Sequence, residues 1–167
     1  MGLFSKDIKS MEDLFIHQLK DIYYAEKRIL NGLEEMISKA STAELRQAFE
    51  AHHRETQSQV QRVEQVFRQC GVEPDTVKCP AIDGIIDEAD DIGSEVEDKR
   101  VLDAALIAAA QAVEHYEIAR YGTLVAWANT LGRTECANLL SQTLREEKAT
   151  DEKLTALAET FVNVTAR

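Results

Sequence analysis

The sequence predicts an all-α protein: a bundle of four long helices, with a long crossover between the second and third that holds a short fifth helix. Three observations predict it. Ala, Leu, Glu, Lys, Arg and Gln are abundant while there are only two prolines (Pro74, Pro80) and seven glycines, a mix that favours helices. Apolar residues recur every three to four positions along four long stretches. Capping signals and glycines then separate these stretches. At 167 residues the chain is expected to form one domain, spanning 1–167, with a sizeable core.

The first long helix is expected to begin at Ser10, where Ser10 and Asp13 resemble a capping box, and to run to about Ala40. Its stripe reads Phe15, Leu19, Ile22 or Tyr23, Glu26, Leu30, Leu33, Ile37. A second box, Ser41 and Glu44, opens the next helix, which ends at Cys70-Gly71 with a C′ glycine. Its stripe is Leu45, Phe49, His52, Thr56, Gln59, Val63, Phe67, with a polar middle and Glu55 one position to the side. Residues 72–97 form the crossover, with a short helix over Ala81–Ile92. Ser94 and Glu97 are expected to cap the third long helix, which ends near Gly132. Its stripe is Leu102, Leu106, Ala109, Val113, Glu117, Arg120, Leu124, Trp127, Leu131. The fourth, Thr134 to about Val164, reads Leu140, Leu144, Glu147, Asp151, Leu154, Ala158, Phe161.

Short joints make two antiparallel hairpins of these four helices. A crossover of about 26 residues reaches ~40 Å even if largely helical, so it can return along the bundle and set the second and third long helices parallel.

The net charge of −11 argues against a nucleic-acid binder, which should show a basic face, and fits poorly with an anionic membrane surface. No apolar run approaches a membrane span. The segment Met-Gly-Leu-Phe-Ser-Lys-Asp-Ile shows no secretory signal and lacks the Ser/Thr that N-myristoylation wants. Cys70, Cys79 and Cys136 are odd in number and lack zinc-type spacing, so a reduced, cytoplasmic compartment is the simpler reading; Cys70 and Cys79 flank a loop and could pair.

Chemistry enters with glutamates that interrupt the apolar stripes: Glu26, Glu55, Glu117 and Glu147, one on or beside the buried face of each long helix. A buried carboxylate is costly unless it protonates or finds a cation. Glu114 and Glu117 stand at i and i+3, and Glu147 and Asp151 at i and i+4, so two helices each offer two acids on one face. Six carboxylates at one level of a bundle call for cations, most simply two divalent ions. Oxygen-rich ligation suits iron or manganese over copper, and the lack of thiolates disfavours structural zinc. A plainer reading also exists for each acid. A stripe glutamate can snorkel to water, Glu147 lies in a charged run, and Arg120, Lys27 or Arg28 could neutralise neighbours. His52 is a further ligand or a partner behind the ligands, or a satisfied core histidine. Tyr23 and Tyr116 lie beside the acids, with core packing as the default. His115 is off the stripe, and His17 and His53 are surface residues.

Four strings then carry a resemblance: Leu-Lys-Asp-Ile-Tyr-Tyr-Ala-Glu-Lys (19–27), His-His-Arg-Glu-Thr (52–56), Ala-Ala-Gln-Ala-Val-Glu-His-Tyr-Glu-Ile-Ala-Arg-Tyr-Gly-Thr (109–123) and Thr-Leu-Arg-Glu-Glu-Lys-Ala-Thr-Asp-Glu-Lys-Leu (143–154). Together they resemble the YciE/YciF type of bacterial ferritin-like protein, over roughly residues 5 to 162. The resemblance implies a rubrerythrin-like core and a di-iron or di-manganese site. Glu26, Glu55, Glu114, Glu117 and Glu147 match the family's acids, Glu147 standing 30 residues beyond Glu117. It further implies Fe(II) oxidation by oxygen or peroxide in stress defence, an electron donor outside the chain, and a homodimer. Two departures stand out. The Glu-x-x-His of the second helix is broken by Ser58, with His52 before Glu55 instead, and Asp151 takes the side where the fourth helix usually adds a histidine. Such a site should hold iron less tightly and tolerate manganese. An alternative is a structural or interaction bundle of the stress response whose metal site is empty or vestigial.

Overall fold

The computed structural model describes residues 8–167. The first seven residues, where the signal and lipidation motifs were sought, lie outside it. Five principal helices follow: α1 (Met11–Lys39), α2 (Ala43–Gln69), α3 (Pro80–Glu95), α4 (Lys99–Thr130) and α5 (Thr134–Leu157). The last continues through a wider π-type turn, Ala158–Val162, into a final helical turn, α6 (Asn163–Thr165). Among the described residues there is no strand.

Helix ends follow from local chemistry. Ser10 Oγ accepts the Asp13 amide at 3.1 Å, the first half of the capping box, while the Asp13 carboxylate accepts the Ser10 hydroxyl at 2.8 Å and the Lys9 amide at 3.0 Å. α2 and α4 both stop at a glycine with positive φ, Gly71 (70°) and Gly132 (71°). Behind each, an amide reaches back five residues: Val72 N to Phe67 O at 3.1 Å, and Arg133 N to Ala128 O at 2.8 Å. Two expected caps are replaced. Thr42 precedes α2, but its cap comes from α4: the Asp103 carboxylate accepts the Ser41 and Thr42 amides and both hydroxyls, at 2.7–3.0 Å. Asp98, not Ser94, caps α4, accepting the Arg100 and Val101 amides.

Contacts at the two ends fix the direction of every helix. At one end Asp103 of α4 meets the α1–α2 joint. At the other, Arg133 pairs with Glu12 and the Cys136 thiol donates to Gln69 Oε1. α2 and α4 therefore run parallel, and so do α1 and α5, while the packed pairs among these four helices are antiparallel. This is the connectivity of ferritin-like bundles. α3 lies over α1 and α4 and is tied down by Asp83, which accepts Tyr24 Oη at 2.9 Å and Arg28 Nε at 3.0 Å. Cys70, Cys79 and Cys136 are free thiols. Cys79 is buried with its Sγ 3.0 Å from Tyr116 Oη, so Cys70 and Cys79 do not pair; the thiol that Cys70 meets is Cys136.

The α2 stripe is buried at every expected position. Elsewhere the phase shifts by one: Ile29 replaces Leu30 in α1, Tyr121 replaces Arg120 and Ala128 replaces Trp127 in α4, and Thr150 replaces Asp151 in α5. Each of the four long helices packs against at least two neighbours, so the buried face is wider than one stripe and its centre is set by all of these contacts.

Candidate metal centre

The polar middle of the α2 stripe faces acids from the other three bundle helices. Glu26, Glu114 and Glu147 are 0% exposed, Glu117 1% and His52 4%. One ligand atom from each of His52, Glu114, Glu117 and Glu147 falls within 4.8 Å of all the others. Glu26 joins them from α1, close enough to Glu117 and Glu147 to perturb both. Phe15, Leu19, Phe49, Leu124 and Leu140 belong to the same buried core.

The acids have almost no partners. Both oxygens of Glu114, Glu117 and Glu147 and Oε2 of Glu26 are buried without a hydrogen bond. Nε2 of His52 stands 2.8 Å from Oε1 of Glu114, yet that oxygen has no aligned donor. Two electron-rich atoms at that spacing and off the hydrogen-bond axis are disposed like co-ligands of one ion. The nearby cations are turned elsewhere. Arg28 pairs with Asp83, Arg62 with Glu146 at 2.8 Å, Lys27 lies over the Tyr23 ring, and Arg120 over Tyr116. Among the described residues no Lys or Arg forms an ion pair with the four buried acids.

Electrostatics follow from this isolation. Burial first, then the Glu147 charge, pushes Glu26 up to about 8; burial raises Glu114 to about 8 as well. Glu117 is held well above the ordinary carboxylate range by burial and then by Glu147 and Glu26, and Glu147 by burial and then by Glu114. Without a cation the cluster must therefore hold protons at neutral pH. A bound cation would give these orphaned oxygens a partner. Four carboxylates and an imidazole are a donor set suited to iron or manganese.

Other candidates stand further out. Glu55 is half-buried, accepts Thr150 Oγ1 at 3.3 Å, and borders a cavity shared with His52 and Lys153. Asp151 is not brought into the group: one step past the buried face, it accepts Gln111 Nε2 at 3.0 Å and lies 3.2 Å from His115 Nε2. Nor are the two tyrosines. Tyr23 donates to Glu64 at 2.7 Å and packs edge-on against Phe67; Tyr116 donates to Asp21 at 2.7 Å. The tyrosine at the centre is Tyr121, fully buried, whose hydroxyl donates to Glu26 Oε1. Its position at i+4 from Glu117 was the available signal, masked by placing Arg120 on the stripe.

The comparisons agree with this architecture. Residues 10–167 match the family described as a domain of unknown function, DUF892. Protein YciF of Escherichia coli K12 is 48% identical over 158 residues, covering 94% of this chain and 95% of its own. The crystal structure of that E. coli stress protein superposes with a TM-score of 0.89, over 93% of this chain and 99% of its own. YcfI of Rhodopseudomonas palustris, for which a structural role has been suggested, is 54% identical with a TM-score of 0.90, over 92% and 98%. A Xanthomonas campestris protein at 23% identity, TM-score 0.74, covering 94% and 96%, shares the fold.

Proposed function

The chain belongs to the DUF892 family, whose members include the stress protein YciF, and from that premise we propose that it holds a dinuclear iron or manganese centre that oxidises Fe(II) with oxygen or peroxide. The observation that carries this is the set of buried, unpartnered carboxylates around His52. The ligands are Glu26, Glu114, Glu117, Glu147 and His52, with Glu55 at the edge. When bound, the metal pair supplies the electrons that pass to the oxidant. The chain does the rest. Four acids from three helices hold the negative charge that favours the more highly charged ions. Tyr121 fixes the carboxylate plane of Glu26 by donating to it. Glu55, half in solvent beside Thr150, gives arriving cations a first carboxylate. The apolar core keeps bulk water out. A homodimer and an external electron donor belong to the same reading, as does a reduced compartment that leaves the three thiols free.

Metal analysis of purified protein tests it. Two equivalents of iron or manganese per chain are expected, and Glu117→Ala or Glu147→Ala should lose them. A folded wild type that takes up no metal under aerobic iron loading defeats the proposal. That outcome is the signature of the second reading, a structural bundle, which is favoured by the hydrogen bond that the Tyr121 hydroxyl donates to Glu26.

A further inference from the structure

A cavity runs inward beneath the crossover helix. Its walls are apolar, built chiefly from Ile29, Leu33 and Met36 of α1, Ile86 of α3, and Leu106 and Val113 of α4. Its cavity volume is about 40 Å³, room for a small molecule. Its inner end is His52 and Glu114, both buried and both carrying atoms with no hydrogen-bond partner. At the mouth Lys39 lies 3.8 Å from Glu35 and 3.5 Å from Asp90, so the rim charges answer one another. A second cavity, lined by Glu55, Thr150 and Lys153 among others, reaches His52 from the gap between α2 and α5; there the charged groups stand next to His52, whereas in the cavity beneath α3 Glu35, Lys39 and Asp90 stay at the rim.

The two approaches select different visitors. Water, hydrogen peroxide or a hydrated cation would have to give up hydrogen bonds to enter an apolar-walled space, whereas an apolar diatomic gives up none and gains dispersion contacts. We infer that the cavity beneath α3 is the passage by which dioxygen, in preference to hydrogen peroxide, reaches the His52–Glu114 side of the centre, and that Gly32 keeps it open. This rests on the metal-centre reading above and names its oxidant. Gly32 sits inside α1, where glycine costs helix stability, yet it lines the cavity, and a Cβ there would meet nothing within 4 Å. A larger residue therefore strengthens the helix while occupying the passage, so the blocking variant is expected to fold.

The test has two arms. Xenon, a probe of apolar cavities, is titrated into metal-free protein and followed by xenon NMR: the wild type should show a saturable site that Gly32→Phe abolishes and Gly32→Leu weakens. With iron loaded, Gly32→Phe should slow oxidation by dioxygen roughly tenfold, while bound Fe(II) and the rate with hydrogen peroxide stay at wild-type values. No xenon site in the wild type, or an unslowed dioxygen reaction in Gly32→Phe, overturns the passage. A wild type that binds xenon but no metal defeats the metal reading instead, and the passage loses its role with it.

Discussion

Glu117 has the plainest conflict between stability and binding in this molecule. It is buried among Glu26, Glu114 and Glu147 with neither oxygen partnered. Glu117→Gln keeps the shape and is neutral in the unfolded chain as well, so folding at neutral pH no longer has to protonate an acid there; the metal-free variant should melt about 3 °C or more above metal-free wild type, roughly 1 kcal/mol, while metal stoichiometry drops. Calorimetry of both apoproteins, paired with metal analysis, checks this; a less stable apo variant would show that the acids are not mutually repelled. Tyr121→Phe is the companion measurement. It removes the donor that orients Glu26, and should weaken metal affinity by about tenfold with the fold intact. An unchanged affinity would make Tyr121 a packing residue only. Of this chemistry, Glu26, Glu117, Glu147 and His52 were legible from stripe positions. Tyr121, and the diversion of Asp151 to Gln111 and His115, were not, because a helical stripe leaves the choice between i+3 and i+4 to the neighbouring helices.

At the scale of elements, α2 depends on a cap supplied from another helix. Asp103 is 1% exposed and accepts four hydrogen bonds from Ser41 and Thr42. Asp103→Ala leaves those donors unmatched and should cost about 2–3 kcal/mol in chemical denaturation, whereas Glu44→Ala, the acid of the expected local box, should cost under about 0.5 kcal/mol. Equal effects would return the cap to the local sequence. The same contact joins the start of α4 to the α1–α2 joint, so it also registers the two hairpins. Sequence alone marked where α2 begins, through Ser41 and Thr42, but an acid 61 residues away carries no local signal of its role.

The whole molecule should report the cluster through pH. Glu26 and Glu114 have folded values of about 8 against an ordinary 4.5, and Glu117 and Glu147 lie above the ordinary value too. Between those limits the folded protein binds more protons than the unfolded chain, so the stability of the metal-free form falls as pH climbs from about 4.5 to about 8. Metal reverses the sign, because ions stabilise the ionised acids and protons compete with them for the oxygens. Melting at pH 5.5 and 7.5 with and without manganese should thus give opposite trends. Parallel trends would mean that the acids are not the ligands.

Composition, the four amphipathic stretches, Gly71 and Gly132 determined an all-helical bundle and its two hairpins, because helix periodicity and chain termination are local properties. The length of the 72–97 connection permitted the parallel course of α2 and α4, since only so long a segment can return along the bundle; the contacts at the two ends decided it. Tertiary structure decided the rest: which side of each acid faces inward, that Asp103 caps a distant helix, that Tyr121 rather than Tyr23 or Tyr116 meets Glu26, and that an apolar cavity ends at His52. Those outcomes depend on the relative rotation and height of packed helices, which no single helix encodes.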